Sequence, residues 1–481
     1  GGDEVGFIYS KLQVHQLGLQ VQDQGGFQLT GMPHAPQRRL AVLFQRGEEL
    51  VRIDMRDPDQ LHGILITFLG FKSEVVYKFE DAIEKFKADI PAIVETLRAS
   101  IESHRVNNTK FIEAQKTFFE LCKAEINPDI TLDDIREMMI QHILTSDIFN
   151  KIFDDADFHR HNTIASELEK LIEILYSYQD RRNLLHSIEH YYEAINATAA
   201  AISDHHEKQK FLKVLYENFY KVYNPKAADR LGVVYTPNEI VQFMVKSTDY
   251  LLHKHFGKTL ADKNVDILDP ATGTGTFICE IIEHAIPSQN LKYKYDNELH
   301  ANEVAILPYY IANLNIEYTF KQKMQYYAEF NNLCFVDTLD NVASLNYEGK
   351  ENELFGLTSE NTNRIRKQNS RKISVVIGNP PYNANQLNEN ENNKNRTYPK
   401  IDRRIKDTYI KNSTAQKTKL YDMYSRFLRW ASDRIDKNGI VAFVSNNSFI
   451  NSRTYDGFRQ VVGKEFNEIW IIDLKGNART S

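Results

Sequence analysis

Apolar residues recur along this chain with two different periods. Between residues 73 and 229 they fall at helical spacing, as Phe111 and Phe118 do two turns apart. From residue 230 to residue 481, short β-branched runs such as 373–377 alternate with longer segments of mixed polarity. Strands that alternate with helices are typical of an α/β domain with a parallel sheet. The pattern therefore predicts an α-helical region followed by an α/β domain.

The same pattern predicts individual elements. Residues 1–72 indicate a small α+β unit, in which strands at 39–44 and 50–54 form a hairpin. In the helical region, Thr131 followed by Asp134 predicts a helix start, and 164–201 predicts two long helices. In the α/β domain we expect six strands, near 265–268, 298–303, 332–336, 373–378, 439–445 and 469–474.

A glycine-rich turn follows the first of these six strands. It reads Asp269-Pro270-Ala271-Thr272-Gly273-Thr274-Gly275, and Thr276-Phe277 come next. Glycine in such a turn lets the backbone approach a ligand closely. A triphosphate-binding loop would continue with Lys and Ser or Thr. The turn, with its acidic residue at the strand end, therefore favours a cofactor without phosphates, such as S-adenosylmethionine; the alternative is an ordinary strand-to-helix turn.

A second motif, Asn379-Pro380-Pro381-Tyr382, follows the strand predicted at 373–378. Two prolines fix φ and remove two N–H donors, so the Asn379 side-chain oxygen and the Pro380 carbonyl can both act as acceptors. Two acceptors can hold the hydrogens of one exocyclic amine, and Tyr382 can stack on a planar ring. A base inside a duplex has to flip out to reach such a site. Because ligands bind outside the carboxyl ends of strands in open α/β sheets, both motifs are expected to face one cleft.

With the two motifs in this order, the chain resembles the gamma class of amino-methylating DNA methyltransferases. The resemblance implies a lid over the methionine part of the cofactor, formed by Tyr235, Thr236 and Pro237. It also implies that Glu303 binds the ribose hydroxyls and that Asp337 contacts the cofactor adenine. The remaining cofactor-binding residues are then those of the turn and its helix, namely Asp269, Pro270, Ala271, Thr272, Gly273, Gly275 and Phe277.

More narrowly, the chain resembles the single-polypeptide restriction–modification enzymes of type ISP and the related type IIG enzymes. The segments that carry this resemblance are 398–405, 420–424 and 471–479, and the match runs from about Phe79 to the C-terminus. It implies methylation of adenine N6 in double-stranded DNA. The implied fold is a Rossmann-like S-adenosylmethionine-dependent methyltransferase core at 230–481, preceded by an α-helical spacer at 73–229.

The resemblance also leads us to expect a fragment of a longer protein. Relatives carry an N-terminal nuclease, but 1–72 has no Glu-x-Lys pair with acidic neighbours, so we predict an inactive nuclease-like remnant without a metal site. No G-x-x-x-x-G-K sequence for a helicase-like ATPase is present. The family's last strand is not seen either, so we predict that 230–481 is C-terminally incomplete. The expected partner besides DNA is the missing target-recognition domain or a specificity subunit.

Charge and composition modify this picture in one respect. The net charge is −6, yet residues 364–419 hold fourteen Lys and Arg against four acidic residues, so a basic segment brackets the second motif. A local basic face is what phosphate binding requires, although a solvated loop is the alternative. The three cysteines lie far apart, and the sequence shows no signal peptide or long apolar run. We expect a cytoplasmic protein that does not contact membranes.

Three other functions remain open at this stage. An N4-cytosine DNA methyltransferase and a protein glutamine N-methyltransferase would act on a similar amine. The long helical region and the basic segment count against the glutamine substrate. A non-catalytic DNA-binding scaffold subunit is the third, and the intact Asn379 and Asp269 count against it.

Overall fold

The computed structural model describes most of the α/β domain and parts of the preceding chain. The described residues are 20–22, 27–32, 40–45, 48–54, 74–125, 130–152, 163–186, 189–201, 236–341, 358–381, 397–414, 420–445 and 447–474. They divide into two compact units. One comprises residues 1–85 with 190–201, and the other comprises 86–189 with 202–481. Among the described residues, no helix is long and apolar enough to cross a bilayer.

The first unit contains an antiparallel sheet. Its strands are β1 (Gln20–Gln22), β2 (Phe27–Met32), β3 (Leu40–Gln45) and β4 (Glu48–Asp54), and they lie in chain order. Strands β3 and β4 pair from Leu40 opposite Asp54 to Gln45 opposite Glu48. The predicted hairpin is therefore confirmed.

Six helices follow. They are α1 (Glu74–Asn107), α2 (Thr109–Glu125), α3 (Leu132–Ile152), α4 (Thr163–Leu175), α5 (Tyr178–Leu185) and α6 (Glu189–Ala201). The predicted start of α3 is confirmed, because the Asp134 N–H donates to Thr131 Oγ1 and the Thr131 N–H donates to Asp134. The prediction of two long helices over 164–201 is wrong. Ser177 and Asp180 cap each other's backbone in the same way, which starts α5 as a separate helix.

The second unit also contains the α/β domain. Its helices are α7 (Asn238–Phe256), α8 (Thr276–Glu280), α9 (Ser288–Asn297), α10 (Ile306–Met324), α11 (Thr358–Asn369), α12 (Pro399–Ile405), α13 (Met423–Arg434), α14 (Ser448–Asn451) and α15 (Asp456–Glu465). Its strands are β5 (Asp266–Asp269), β6 (Leu299–Glu303), β7 (Leu333–Phe335), β8 (Ile373–Gly378) and β9 (Ile435–Phe443). The strands form one parallel sheet in the order β7-β6-β5-β8-β9.

The strand order fixes where a ligand can bind. The chain builds β5, β6 and β7 outward in one direction and then returns to place β8 on the other side of β5. The loops after β5 and β8 therefore diverge, and such a switch point opens a crevice at the carboxyl ends of the strands. Both sequence motifs follow these two strands.

The strand predicted at 469–474 is not formed. Ile469, Ile471 and Leu474 are each more than half exposed, and the segment has no strand assignment. The apolar run satisfies the strand pattern locally. A strand forms, however, only when a neighbour pairs its N–H and C=O groups, and the described residues offer this segment no such neighbour.

A buried polar cluster joins the helical region to α10 within the second unit. The ring of His142 on α3 is fully buried; its Nδ1 lies 3.0 Å from the Tyr310 hydroxyl on α10. Its Nε2 lies 2.8 Å from Glu169 on α4, which also pairs with Arg181 on α5. Burial opposes ionisation of Glu169, yet His142 and Arg181 together lower the pKa of this carboxyl to about 2. The cluster therefore contains an ionised carboxylate that depends on its partners.

Replacing His142 by alanine is expected to lower the free energy of unfolding by about 3 kcal/mol. The change leaves the Tyr310 hydroxyl and the Glu169 carboxylate without their imidazole partner in a buried site. The matched control is His186→Ala, because His186 pairs with Glu189 at the surface, where its side chain is 81% exposed. That variant should change stability by less than about 0.5 kcal/mol. Urea denaturation measures both, and equal losses would contradict the prediction.

Candidate active site

Four polar side chains lie along the carboxyl edge of the parallel sheet. Asp269 ends β5 and Glu303 ends β6, while Asp337 lies two residues beyond β7. Asn379 follows β8 directly. Since neighbouring strands are about 4.8 Å apart, the four groups form a row in the order Asn379, Asp269, Glu303, Asp337. The structure thus brings the two sequence motifs to one edge.

The glycine-rich turn is held between β6 and α10. Gly273 and Gly275 have φ of 55° and 87°, the left-handed region that favours glycine. A Cβ on Gly275 would lie 3.2 Å from the Cα of Ala312 on α10, so the turn sits directly on the helix backbone. Asn315 on the same helix donates to the Thr274 carbonyl at 2.9 Å. The conformation of the turn therefore depends on α10 as well as on its own residues.

Glu303 ties the turn to β6. Its Oε2 accepts from the Gly273 N–H at 2.9 Å, and its Oε1 accepts from the N–H groups of Val304 and Ala305 at 2.9 and 2.8 Å. Three donors fix the orientation of the carboxylate. Glu303 therefore shapes the backbone of the turn, a role that the sequence did not indicate.

Asp269 is fully buried against the end of β8. Its Oδ1 accepts from the Ala271 N–H at 3.2 Å, and its Oδ2 is buried without a hydrogen-bond partner among the described residues. A Cβ on Gly378 would come within 2.6 Å of Asp269 Oδ1, so any larger residue there would force the Asp269 carboxyl to move. Sequence reasoning missed Gly378, although a glycine that closes an apolar strand directly before Asn379 was a usable signal.

Asn379 is oriented by a residue of the predicted lid. Its Nδ2 donates to Thr236 Oγ1 at 2.8 Å, whereas its Oδ1 is buried without a hydrogen-bond partner in the described part of the chain. Thr236 is itself buried, and Pro237 is the N-cap of α7. The amide oxygen is thus left as an acceptor at the edge. Tyr235 and Tyr382 lie outside the described residues.

The other predicted site residues line the same edge in different ways. The Thr272 hydroxyl is a further buried polar group, and it lies beside the Asp269 carboxyl, whose pKa it lowers against the effect of burial. Phe277 is buried in α8 and Pro380 is also buried, while Ala271 and Pro381 are half-buried. The Pro270 carbonyl accepts from the Thr338 hydroxyl at 2.6 Å, which joins the turn after β5 to the loop after β7.

Asp337 is held on both of its oxygens. Oδ1 accepts from the Leu339 N–H and Oδ2 accepts from the Tyr398 hydroxyl, each at 3.0 Å. Tyr398 lies 61 residues further along the chain. Sequence reasoning did not place it in the site, because nothing local indicates a contact over that distance.

Burial shifts the ionisation of the two central carboxyls in the same direction. Burial, with a smaller contribution from the charge of Glu303, raises the pKa of Asp269 to about 7. Burial and the charge of Asp337 raise the pKa of Glu303 to about 7, against the three N–H donors. Adjacent acidic groups with raised pKa values favour a ligand that brings positive charge or hydrogen-bond donors.

The raised pKa values predict that the protein without ligand loses stability as the pH rises. A carboxyl whose folded pKa exceeds its unfolded value of about 4 stabilises the fold fully below that value. Its contribution is lost as the pH rises through the folded pKa, here about 7. The melting temperature should therefore fall between about pH 4 and about pH 7. The lowered pKa of Glu169 affects stability below this window. Burial lowers the pKa of His300, and this shift opposes part of the fall.

The variant Glu303→Gln should flatten that fall, because its side chain carries no titrating proton. Glu95→Gln is the matched control, since Glu95 is 71% exposed on α1. It should leave the pH dependence unchanged. A Glu303→Gln protein that melts with the same pH dependence as the parent would contradict the assignment.

Two family models match separate parts of the chain. Residues 83–207 match the coupler domain of type ISP restriction-modification enzymes, and residues 288–479 match the Eco57I restriction-modification methylase. Each match shows that this part of the chain is similar to that domain of restriction-modification enzymes. The methylase match contains Glu303, Asp337 and Asn379, and the coupler match contains α2 to α6. Together with the parallel sheet, they confirm the predicted α/β methyltransferase core behind a helical region.

Three solved structures resemble this chain. DrdV in its complex with DNA shares 54% identity over 89% of this chain and 41% of DrdV, with a TM-score of 0.79. A nuclease-deletion mutant of the type ISP enzyme LlaGI, with a DNA substrate mimic, shares 32% identity over 86% of this chain and 33% of LlaGI (TM-score 0.72). The ATP-dependent type ISP enzyme LlaBIII, bound to DNA, shares 33% identity over 79% of this chain and 26% of LlaBIII (TM-score 0.70). The chain thus spans less than half the length of each. None of the curated proteins matches it.

Proposed function

We propose that this chain transfers a methyl group from S-adenosylmethionine to the N6 amine of adenine in DNA, as the modification part of a restriction–modification system in the cytoplasm. The observation that carries the proposal is the placement of Asn379. Its amide nitrogen is held by Thr236, so its buried oxygen is directed as an acceptor beside Asp269. This arrangement suits the hydrogens of an exocyclic amine.

The row of four polar side chains at the sheet edge determines the proposed orientation of the bound cofactor. The group to be transferred has to lie near Asn379, and the nucleoside then extends along the edge past Asp269 and Glu303 towards Asp337. The buried Asp269 carboxyl and the Thr272 hydroxyl beside it fit a ligand that donates hydrogen bonds. When bound, S-adenosylmethionine supplies the activated methyl group.

The protein contributes mainly by positioning the reacting groups. Asn379 Oδ1 and the Pro380 carbonyl accept the two amine hydrogens and direct the nitrogen lone pair along the edge. Methyl transfer is an in-line displacement, for which fixed geometry supplies much of the rate. Gly378 brings Asn379 against Asp269, so the amine site and the cofactor site share one wall. Tyr382 is proposed to stack on the flipped base.

DNA is the proposed substrate because DrdV, LlaGI and LlaBIII were solved in complex with DNA or with a DNA substrate mimic. The basic segment divides into two groups of residues in the structure. Arg364, Arg371 and Arg404 pair with acidic side chains of the same chain. Exposed lysines that remain for phosphates lie near α12, at Lys400, Lys406 and Lys411, whereas Arg403 pairs with Asp407. We propose that base recognition is completed by a further domain or a specificity subunit.

Two measurements, made one after the other, test the proposal. Calorimetric titration with S-adenosylmethionine should show saturable binding that Asp269→Ala weakens at least tenfold, because it removes a buried carboxylate from the cofactor wall. Incubation with the cofactor and DNA, followed by digestion and mass spectrometry, should then detect N6-methyladenine. N4-methylcytosine or methylated glutamine in a protein substrate would select one of the rival substrates. Cofactor binding without any methylated product would favour a scaffold.

A further inference from the structure

Tyr398 joins the Asp337 end of the site to a support outside the sheet. It precedes α12, and its side chain is buried in an apolar cluster with Leu339, Phe427 and Trp430. Its hydroxyl donates to the Oδ2 of Asp337 at 3.0 Å. A buried tyrosine needs a partner for its hydroxyl, so this contact alone does not distinguish a structural role from a functional one.

Further contacts, beyond the hydrogen bond of the hydroxyl, fix the position of the Tyr398 ring. Arg426 on α13 stacks on the ring, with its Cζ 5.1 Å from the ring centroid. The same guanidinium binds Asp402 through two hydrogen bonds of 2.7 and 3.0 Å. Asp402 Oδ2 in turn accepts from the Tyr398 N–H at 3.0 Å. One ion pair therefore fixes both the backbone and the ring of Tyr398, and the hydroxyl cannot turn away without breaking it.

Because Tyr398 is fixed in this way, it also fixes the orientation of the Asp337 carboxylate. With Tyr398 on Oδ2 and the Leu339 N–H on Oδ1, both oxygens are oriented from within the protein. An ionised carboxylate has about four acceptor positions, so a further donor from a ligand can share these oxygens. Asp337 is thus a fixed acceptor at the end of the row farthest from Asn379.

On the proposed function, the part of the cofactor that reaches this end is the purine ring. Adenine presents a 6-amino donor there, whereas a 6-oxo purine presents an acceptor. A fixed carboxylate accepts from the first and repels the second, and sites built to hydrogen-bond one group reject its replacement strongly. A freely rotating carboxylate would discriminate less, because it could turn away from the unfavourable oxygen.

We propose that Tyr398 is a positioning residue that gives the cofactor site its preference for adenine, by holding the Asp337 carboxylate against the purine 6-position. Tyr398 does not touch the reacting atoms. Its effect is on which nucleoside the site accepts. This inference rests on the proposed function, and the test separates the two.

The test compares two ligands that differ at the purine 6-position, S-adenosylhomocysteine and S-inosylhomocysteine. Their affinities are measured by calorimetry for the full chain and for Tyr398→Phe. The parent should prefer the adenosine compound by at least about tenfold. In Tyr398→Phe the preference should shrink by roughly tenfold, mainly because the adenosine compound binds more weakly.

Two further variants serve as controls. Tyr409→Phe removes the hydroxyl of another buried tyrosine, one that lies in a different apolar cluster from Tyr398, and should leave the preference unchanged. Asp337→Asn should shift the preference towards the inosine compound, because an amide can donate to a 6-oxo group. That variant tests whether position 337 faces the purine, independently of Tyr398.

Three outcomes would overturn the inference. If Tyr398→Phe weakens both ligands equally, Tyr398 only maintains the fold. If it changes neither affinity, the contact with Asp337 has no bearing on the ligand. If Asp337→Asn shifts nothing while the parent binds both compounds, the purine lies elsewhere although the cofactor site stands. Failure of the parent to bind either compound would instead remove the proposed function.

Discussion

Replacing Asn379 by alanine is expected to abolish methyl transfer and to leave cofactor affinity within about twofold of the parent. The Asn379 oxygen is buried without a protein partner in the described residues and is proposed to hold the target amine, not the cofactor. Without it the amine loses an acceptor and its orientation, and a misplacement of about 1 Å can cost about a hundredfold in rate. We therefore expect the turnover number to fall by at least that factor, measured by methyl incorporation at saturating cofactor.

A graded series supports the interpretation of that result. Thr236→Val keeps the shape of the threonine but removes the hydroxyl that accepts from Asn379 Nδ2 at 2.8 Å. It should lower turnover by about tenfold, since the amide then loses one hydrogen bond that orients it. Asn412→Ala, which removes an exposed amide on the surface, should have no effect on transfer. If Asn379→Ala lost cofactor affinity and turnover together, the residue would belong to the cofactor site.

The two motifs could be predicted because each is encoded in a short continuous stretch of the sequence. A strand that ends in Asp269 and continues into Gly273 and Gly275 can be recognised in a stretch of a dozen residues. The same holds for the apolar run before Asn379. Parallel strands bring their carboxyl ends to one edge, so two local motifs sufficed to predict that Asp269 and Asn379 lie at the same edge of the sheet.

The contacts that hold the site together were not predictable, because they join distant residues. His142 meets Tyr310 across 168 positions, and Tyr398 meets Asp337 across 61. Tertiary packing decides such pairs, and no short pattern encodes them. The steric demand on Gly378 likewise arises only once β8 lies beside β5. The strand prediction at 469–474 failed for the same reason, because a strand forms only beside a neighbouring strand and propensity alone is not enough.

Replacing Gly275 by alanine is expected to reduce cofactor affinity by at least tenfold and to lower the free energy of unfolding by about 2–3 kcal/mol. Two costs add at this position. The residue has φ of 87°, which strains any residue with a Cβ. The added Cβ would also lie 3.2 Å from the Ala312 Cα and 3.3 Å from the Ala312 carbonyl oxygen. These are backbone atoms of α10, so no side-chain rotation relieves the contact.

Movement of α10 is an unfavourable way to make room. The helix is buried over nearly its whole length, and Tyr310 anchors it to His142. A helix that is covered on all sides cannot shift without disturbing several contacts at once. The strain therefore falls on the turn, which has to move away from α10. That displacement would also pull on the Gly273 N–H, which Glu303 accepts at 2.9 Å.

Two other glycines separate conformational strain from steric overlap. Gly273 has φ of 55° but open space around its missing Cβ, so Gly273→Ala should cost only about 1 kcal/mol from the left-handed conformation. Gly463 lies in α15 with open space and no unusual φ, so Gly463→Ala should be neutral or stabilising by up to about 1 kcal/mol. Thermal melting and calorimetry with S-adenosylmethionine should rank the losses as Gly275, Gly273, Gly463. Equal losses for Gly273→Ala and Gly275→Ala would show that backbone conformation alone governs the turn and that its close packing on α10 has no energetic role.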